Sequence, residues 1–170
     1  HVYTRSSNPS IEAYEQTIRS ISGAFGVIAT ATGMAAISNA LFALLKSGDN
    51  IITTKYLFGN TLSLFQTLLS DFGVEVRYVD VNNLEEIRSN IDDKTRLLFC
   101  ESISNPQLIV PDFGAIKAVL SEKNVPLIVD TTMTPWNIFD AKKHGVDIEI
   151  ISATKYLSGG GHVLGGLIVD

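Results

Sequence analysis

Ile148-Glu149-Ile150-Ile151-Ser152-Ala153-Thr154-Lys155-Tyr156-Leu157-Ser158-Gly159-Gly160-Gly161 is the stretch from which the fold is read. Its β-branched start gives a short buried strand, which stops at two hydroxyls, a lysine and a glycine-rich turn. Ser152 and Thr154 are two residues apart, so in extended backbone both side chains leave one face. Upstream the same unit recurs, an apolar strand followed by a helix that begins at a polar residue. Strands are expected over 27–30, 50–54, 74–79, 95–101, 125–130 and 146–152. Between them, Ser10 is expected to cap a helix over 11–22, with Glu12 and Glu15 at its positive end. Further helices are expected over 34–45, 59–72, 84–91 (capped by Asn83), 112–123 and 139–144. This alternation predicts an α/β domain with a mainly parallel sheet. The strands are near-continuous apolar runs, which places helices on both faces.

With 170 residues, 45% of them apolar and 18% charged, the chain can bury one substantial core. The net charge of -5 excludes a basic nucleic-acid footprint. No apolar run is long enough for a transmembrane helix, so no membrane partner is expected. Cys100 is the only cysteine and lies in the apolar run Leu97-Leu98-Phe99-Cys100, which reads as buried filler and a reducing, cytoplasmic setting. The chain opens without methionine and ends inside the apparent strand Gly166-Leu167-Ile168-Val169. Residues 1–170 are therefore expected to be one domain of a longer protein, incomplete at both ends.

In open parallel sheets, ligands bind beyond the carboxyl ends of the strands. The residues following each strand are Gly33 and Met34, which open a helix, then Glu101, Asp130, Ser152, Thr154 and Lys155. Taken singly they have plain readings: Gly33 a tight turn, Glu101 and Asp130 caps, Lys155 a solvated lysine. Together they place a helix N-terminus, two carboxylates, two hydroxyls and an amine on one rim. A helix N-terminus and hydroxyls suit a phosphate, and an amine suits an aldehyde. Pyridoxal 5'-phosphate carries both, with Lys155 as its Schiff-base partner and the catalytic residue. Asp130 would keep the pyridine nitrogen protonated, and either Tyr56 or Phe58 could stack on the ring. The dinucleotide fingerprint, the Walker lysine and the G-x-S-x-G elbow are missing. His1, His144 and His162 are too scattered for a metal site, and His144 reads as a helix C-terminal residue.

The motifs resemble those of the Cys/Met-metabolism family of pyridoxal-phosphate enzymes, on the type I aminotransferase-like fold. Tyr3-Thr4-Arg5-Ser6-Ser7-Asn8-Pro9 is similar to the family's Tyr-x-Arg-x-x-Asn-Pro segment, Thr32-Gly33-Met34 to its Ser-Gly-Met phosphate loop, and Glu101-Ser102-Ile103-Ser104-Asn105-Pro106 to its Glu-x-x-x-Asn-Pro segment. Val129-Asp130-Thr131-Thr132 and Ser152-Ala153-Thr154-Lys155-Tyr156 resemble the strand end and the Schiff-base motif. The resemblance implies a cofactor set of Gly33, Met34, Phe58, Glu101, Asn105, Asp130, Thr132, Ser152, Thr154 and Lys155. It also implies that Tyr3 and Arg5 reach the phosphate of a neighbouring subunit, hence a homodimer or homotetramer with shared active sites.

For the reaction, the resemblance implies a small amino-acid substrate and an O-acyl-homoserine sulfhydrylase. Alternatives are a methionine γ-lyase, a cystathionine synthase or lyase or, from another class, a non-catalytic fragment or degenerate paralogue. Phe58 stands where many members carry a tyrosine, so a hydroxyl assigned to proton transfer in the γ-lyases is missing. Asp130-Thr131 replaces the usual Asp-Asn pair. The arginine that holds the substrate carboxylate in the family lies in a C-terminal domain beyond these residues.

Overall fold

The structure, a computed structural model, describes residues 3–4 and 6–170. Its elements run α1 (Pro9–Ser22), β1 (Val27–Thr30), α2 (Gly33–Leu44), β2 (Asn50–Thr54) and α3 (Gly59–Ser63), which continues into a π-helical turn at Leu64–Leu69. They go on through β3 (Glu75–Val79), α4 (Leu84–Ser89), β4 (Thr95–Glu101), α5 (Phe113–Ser121), β5 (Leu127–Asp130), β6 (Ile148–Ile151) and β7 (Gly166–Val169). One seven-stranded sheet has the order β1-β7-β6-β5-β4-β2-β3. β2 to β6 pair in parallel, and β7 alone is reversed, antiparallel to both β6 and β1. The architecture is the mainly parallel α/β sheet expected from the sequence.

Alternate residues of the strands supply two cores. Ile51, Leu97, Phe99, Ile128 and Ile150 pack against α2, α3 and the π turn. Ile52, Leu98, Cys100, Leu127 and Val129 pack against α4 and α5. Ile18 of α1 meets Ile151, Leu167 and Val169. Period-two alternation thus delivers apolar side chains to both faces, each covered by helices. Cys100 is fully buried, and desolvation pushes its thiol far up, as befits filler.

Several boundaries differ from those expected. Asn8, not Ser10, caps α1: its side chain accepts the Ser10 and Ile11 N–H groups, with Pro9 in the first turn. Glu15 leaves the helix end to accept the Ala29 N–H of β1. β1 is an edge strand rather than a buried one, and Ile28 is 58% exposed. Residues 139–144 form turns instead of a helix. The Phe139 and His144 rings stack at 4.7 Å and pack on Phe113, so His144 is an aromatic partner rather than a helix-end charge. Among the described residues, no helix is long and apolar enough to cross a membrane.

Candidate active site

Because β7 is reversed, its first residue reaches the same rim as the last residues of the other strands. A cavity of about 790 Å³ opens there, within the range of small-molecule sites. It is lined by Gly33, Met34, Phe58, Glu101, Asn105, Asp130, Thr132, Ser152, Thr154 and Lys155, the whole set expected of this chain. Of the two aromatics expected to stack, Phe58 lines the cavity and Tyr56 does not, and Tyr156 is a second aromatic on the lining. Tyr3 is exposed and does not line the cavity, and Arg5 lies outside the described residues.

The floor is built by close backbone approach. Thr32 caps α2, its hydroxyl accepting the Ala35 N–H and its carbonyl the Ala36 N–H. The Gly33 and Met34 N–H groups ahead of them have no intrahelical acceptor. A Cβ on Gly33 would lie 2.7 Å from Ser152 Cβ, so only glycine lets the helix end sit on the end of β6. Gly166 is as constrained, with its would-be Cβ 2.1 Å from the Thr32 carbonyl oxygen. The helix N-terminus, the Ser152 hydroxyl and the start of β7 are therefore held in one cluster. Such a cluster can take a phosphate.

The walls are carboxylates on neighbouring strands. Glu101 and Asp130 are register partners across β4 and β5. Burial pushes the Asp130 carboxyl up, offset by hydrogen bonds from Thr132, whose N–H donates at 2.9 Å. The Thr132 hydroxyl oxygen in turn accepts the Ser152 N–H at 2.8 Å, tying the ends of β5 and β6. Desolvation, helped by the Asp130 charge, pushes Glu101 to about 7, against the pull of amide hydrogen bonds from Phe58 and Asn105. The pair is thus an inward-facing acidic wall.

Lys155 is not placed by extended backbone. Residues 153–158 coil into successive turns, with Lys155 N–H donating to Ser152 O and Ser158 N–H to Ala153 O. The Thr154 hydroxyl oxygen accepts the Gly165 N–H at 3.1 Å, which closes the glycine-rich loop. Thr154 is thus a loop fastener as well as a lining residue. Lys155 is exposed at the cavity and, among the described residues, its Nζ makes no hydrogen bond or ion pair. Sequence reasoning missed Asn60, Thr61, Ile103, Met133, Tyr156 and Leu164 on the lining. Asn60 and Thr61 lie in α3 and the other four in loops, and none of them carries a spacing signal. No group of His, Cys, Asp and Glu able to hold a metal ion occurs among the described residues.

A free amine, a buried carboxylate and a phosphate-sized helix end around one cavity fit pyridoxal phosphate. Lys155 would bond its aldehyde, Asp130 face its ring nitrogen, and Gly33, Met34 and Ser152 take its phosphate. Comparison with known proteins points to the same cofactor. The family model for the Cys/Met metabolism PLP-dependent enzymes matches residues 1–170. The O-acetylhomoserine sulfhydrylase of Wolinella succinogenes is 49% identical, with a TM-score of 0.90 over 96% of this chain and 47% of that one. A Campylobacter jejuni protein assigned as an O-acetylhomoserine (thiol)-lyase, solved with N'-pyridoxyl-lysine-5'-monophosphate, is 35% identical, with a TM-score of 0.95 over 99% of this chain and 42% of that one. The L-methionine gamma-lyase of Fusobacterium nucleatum subsp. nucleatum is 39% identical over 99% of this chain and 43% of its own length. The chain spans about two fifths of the curated relatives it matches.

Proposed function

We propose, from the premise that this chain belongs to the Cys/Met-metabolism family of pyridoxal-phosphate-dependent enzymes, that it is the cofactor-binding domain of a longer O-acyl-homoserine sulfhydrylase. When bound, pyridoxal phosphate supplies an electron sink that stabilises negative charge on the substrate's α-carbon. The chain's own residues do the rest. Asp130, desolvated at the end of β5, would face the ring nitrogen and hold its proton. Phe58 covers one face of the cavity. The Lys155 amine would take the proton from Cα of the substrate and carry protons among Cα, Cβ and Cγ. The acyl group leaves Cγ as a carboxylate with its bonding pair, and a sulfide or thiol forms the new C–S bond at Cγ.

The observation that favours replacement over elimination is Phe58 on the cavity wall. It offers no hydroxyl to protonate a leaving thiol, whereas a carboxylate leaves without that help. The similarity to the Wolinella sulfhydrylase supports the same choice. Assay of the full-length protein with sulfide on O-acetylhomoserine, O-succinylhomoserine and methionine is the test. Homocysteine is expected from an acyl-homoserine; keto-acid release from methionine with no sulfide addition overturns the reading and leaves a methionine γ-lyase.

The active protein is further read as a cytoplasmic homodimer or homotetramer in which Tyr3 and Arg5 reach a neighbour's phosphate. Mixing Lys155→Ala and Arg5→Ala proteins restores one intact site if sites are shared. Additive activity without recovery counts against sharing.

A further inference from the structure

Glu101 is 7% exposed, yet it touches two loops from the end of β4. Its Oε1 accepts the Phe58 N–H at 2.6 Å, and its Oε2 accepts the Asn105 N–H at 3.2 Å. Phe58 lies 43 residues upstream, at the start of α3, and its ring is on the cavity wall. Asn105 follows four residues later and also lines the cavity. Both oxygens of one carboxylate are therefore needed to seat two separate parts of the wall.

We propose that Glu101 is a positioning residue whose ionised carboxylate clamps the backbone of Phe58 and Asn105 to the cavity, and whose protonation releases one of them. The proposal deepens the cofactor reading above and rests on it for what the seated ring does. The chemistry is that of acceptor count. A carboxylate can accept at both oxygens, but a neutral carboxyl must donate from one of them, so one amide loses its partner. A buried amide without an acceptor has reason to move.

The surroundings set where the switch acts. The other titratable groups lining the cavity are Asp130 on the adjacent strand, and Lys155 and Tyr156 on the loop after β6. Asp130 is the one that raises Glu101 by charge, after desolvation, and together they bring its titration to about 7. The clamp is accordingly poised near neutrality, and a positive group brought against Asp130 tightens it.

The test uses full-length protein carrying 4-fluorophenylalanine and stripped of cofactor, read by fluorine NMR. The Phe58 resonance is identified by its loss in Phe58→Leu. It is expected to shift with pH around a midpoint near 7. In Glu101→Gln, which also has one acceptor oxygen, it should sit at the wild type's low-pH position at every pH. The remaining phenylalanine resonances report whether that variant is folded. Asp130→Asn provides the independent arm, since removing the neighbouring charge should lower the midpoint. A Phe58 resonance that does not titrate, titrates unchanged in Glu101→Gln, or keeps its midpoint in Asp130→Asn overturns the clamp. Return of the visible absorbance band on reloading wild type with pyridoxal phosphate tests the cofactor reading separately.

Discussion

The two ends of the parallel strands are built from similar residues and used in opposite ways. At the amino ends, polar groups are spent on one another. Asn50 is fully buried, donates to Asp92 at 2.8 Å and accepts from the Thr95 hydroxyl at 2.8 Å. Arg77 pairs with Glu75 and Asp92 and donates to the Asn90 carbonyl. Asp92, with donors from Asn50, Lys94 and Arg77, is held well below the usual carboxylate range. Asp49, buried, accepts from Arg96 and from the Lys46 N–H. At the carboxyl ends, Glu101 and Asp130 are pushed up instead of down, and among the described residues the Lys155 Nζ makes no hydrogen bond or ion pair. The amino rim is a closed polar network that fixes register; the carboxyl rim spends Glu101 and its threonines on its own loops but leaves Asp130 and Lys155 at the cavity.

The sharpest way to break this contrast is Lys155→Ala in the full-length protein. The visible band of the bound cofactor should disappear, and turnover should fall by at least about 10²–10⁴-fold, the share of a positioned acid–base. Unfolding of the cofactor-free protein in urea should change by no more than about 0.5 kcal/mol, because the side chain is exposed and, among the described residues, makes no hydrogen bond or ion pair. If that variant unfolds easily, the carboxyl rim is structural after all. Asn50→Ala should do the reverse. It removes one acceptor of the Thr95 hydroxyl, which keeps Asp92, and one donor to Asp92, at a cost of about 1–3 kcal/mol in unfolding free energy, with pyridoxal-phosphate affinity unchanged.

Gly33→Ala sits between these, because its new Cβ must displace Ser152 without entering either core. Titration of the cofactor-free variant should show roughly tenfold weaker binding, about 1.4 kcal/mol. The smallest effect concerns pH. Glu101 titrates at about 7 in the fold, against 4.5 for an unperturbed glutamate. Between those values the unfolded chain has lost a proton that the folded chain keeps. Its stabilising contribution is therefore full below about 4.5 and is lost as pH rises to about 7. Glu101→Gln should lack that decline, so the difference between the two proteins' stability curves should change between about pH 4.5 and pH 7. Parallel curves would mean that the carboxyl is not desolvated as described.

What the sequence made legible follows from range. Strands such as Thr95–Glu101 stand out because an uninterrupted apolar run has one use in a covered sheet, and their last residues mark the rim without further knowledge. Asn83 and Asp112 are readable as caps because their partners are three residues away. Asn8 and Ser10 both suit a cap, and only Pro9 in the first turn decides between them. Contacts across long separations leave no such trace. The Glu101–Phe58 bond, the Asn50–Asp92–Thr95 network and the Thr154–Gly165 fastener join loops whose meeting is fixed by the sheet order.

The reversed strand also dictates when the sheet can be completed. β1 pairs only with β7, Val27 against Val169, so its partner is made about 140 residues later. β2, β3, β4 and β5 are adjacent and find partners as they are made. At ribosomal rates of about 5–20 residues per second, β1 waits on the order of ten seconds with both edges open. During that interval α1 and the exposed Ile28 are the part of the nascent chain most open to mispairing. Assembly of the phosphate cluster, which needs Gly166 against Thr32, is among the last events of folding.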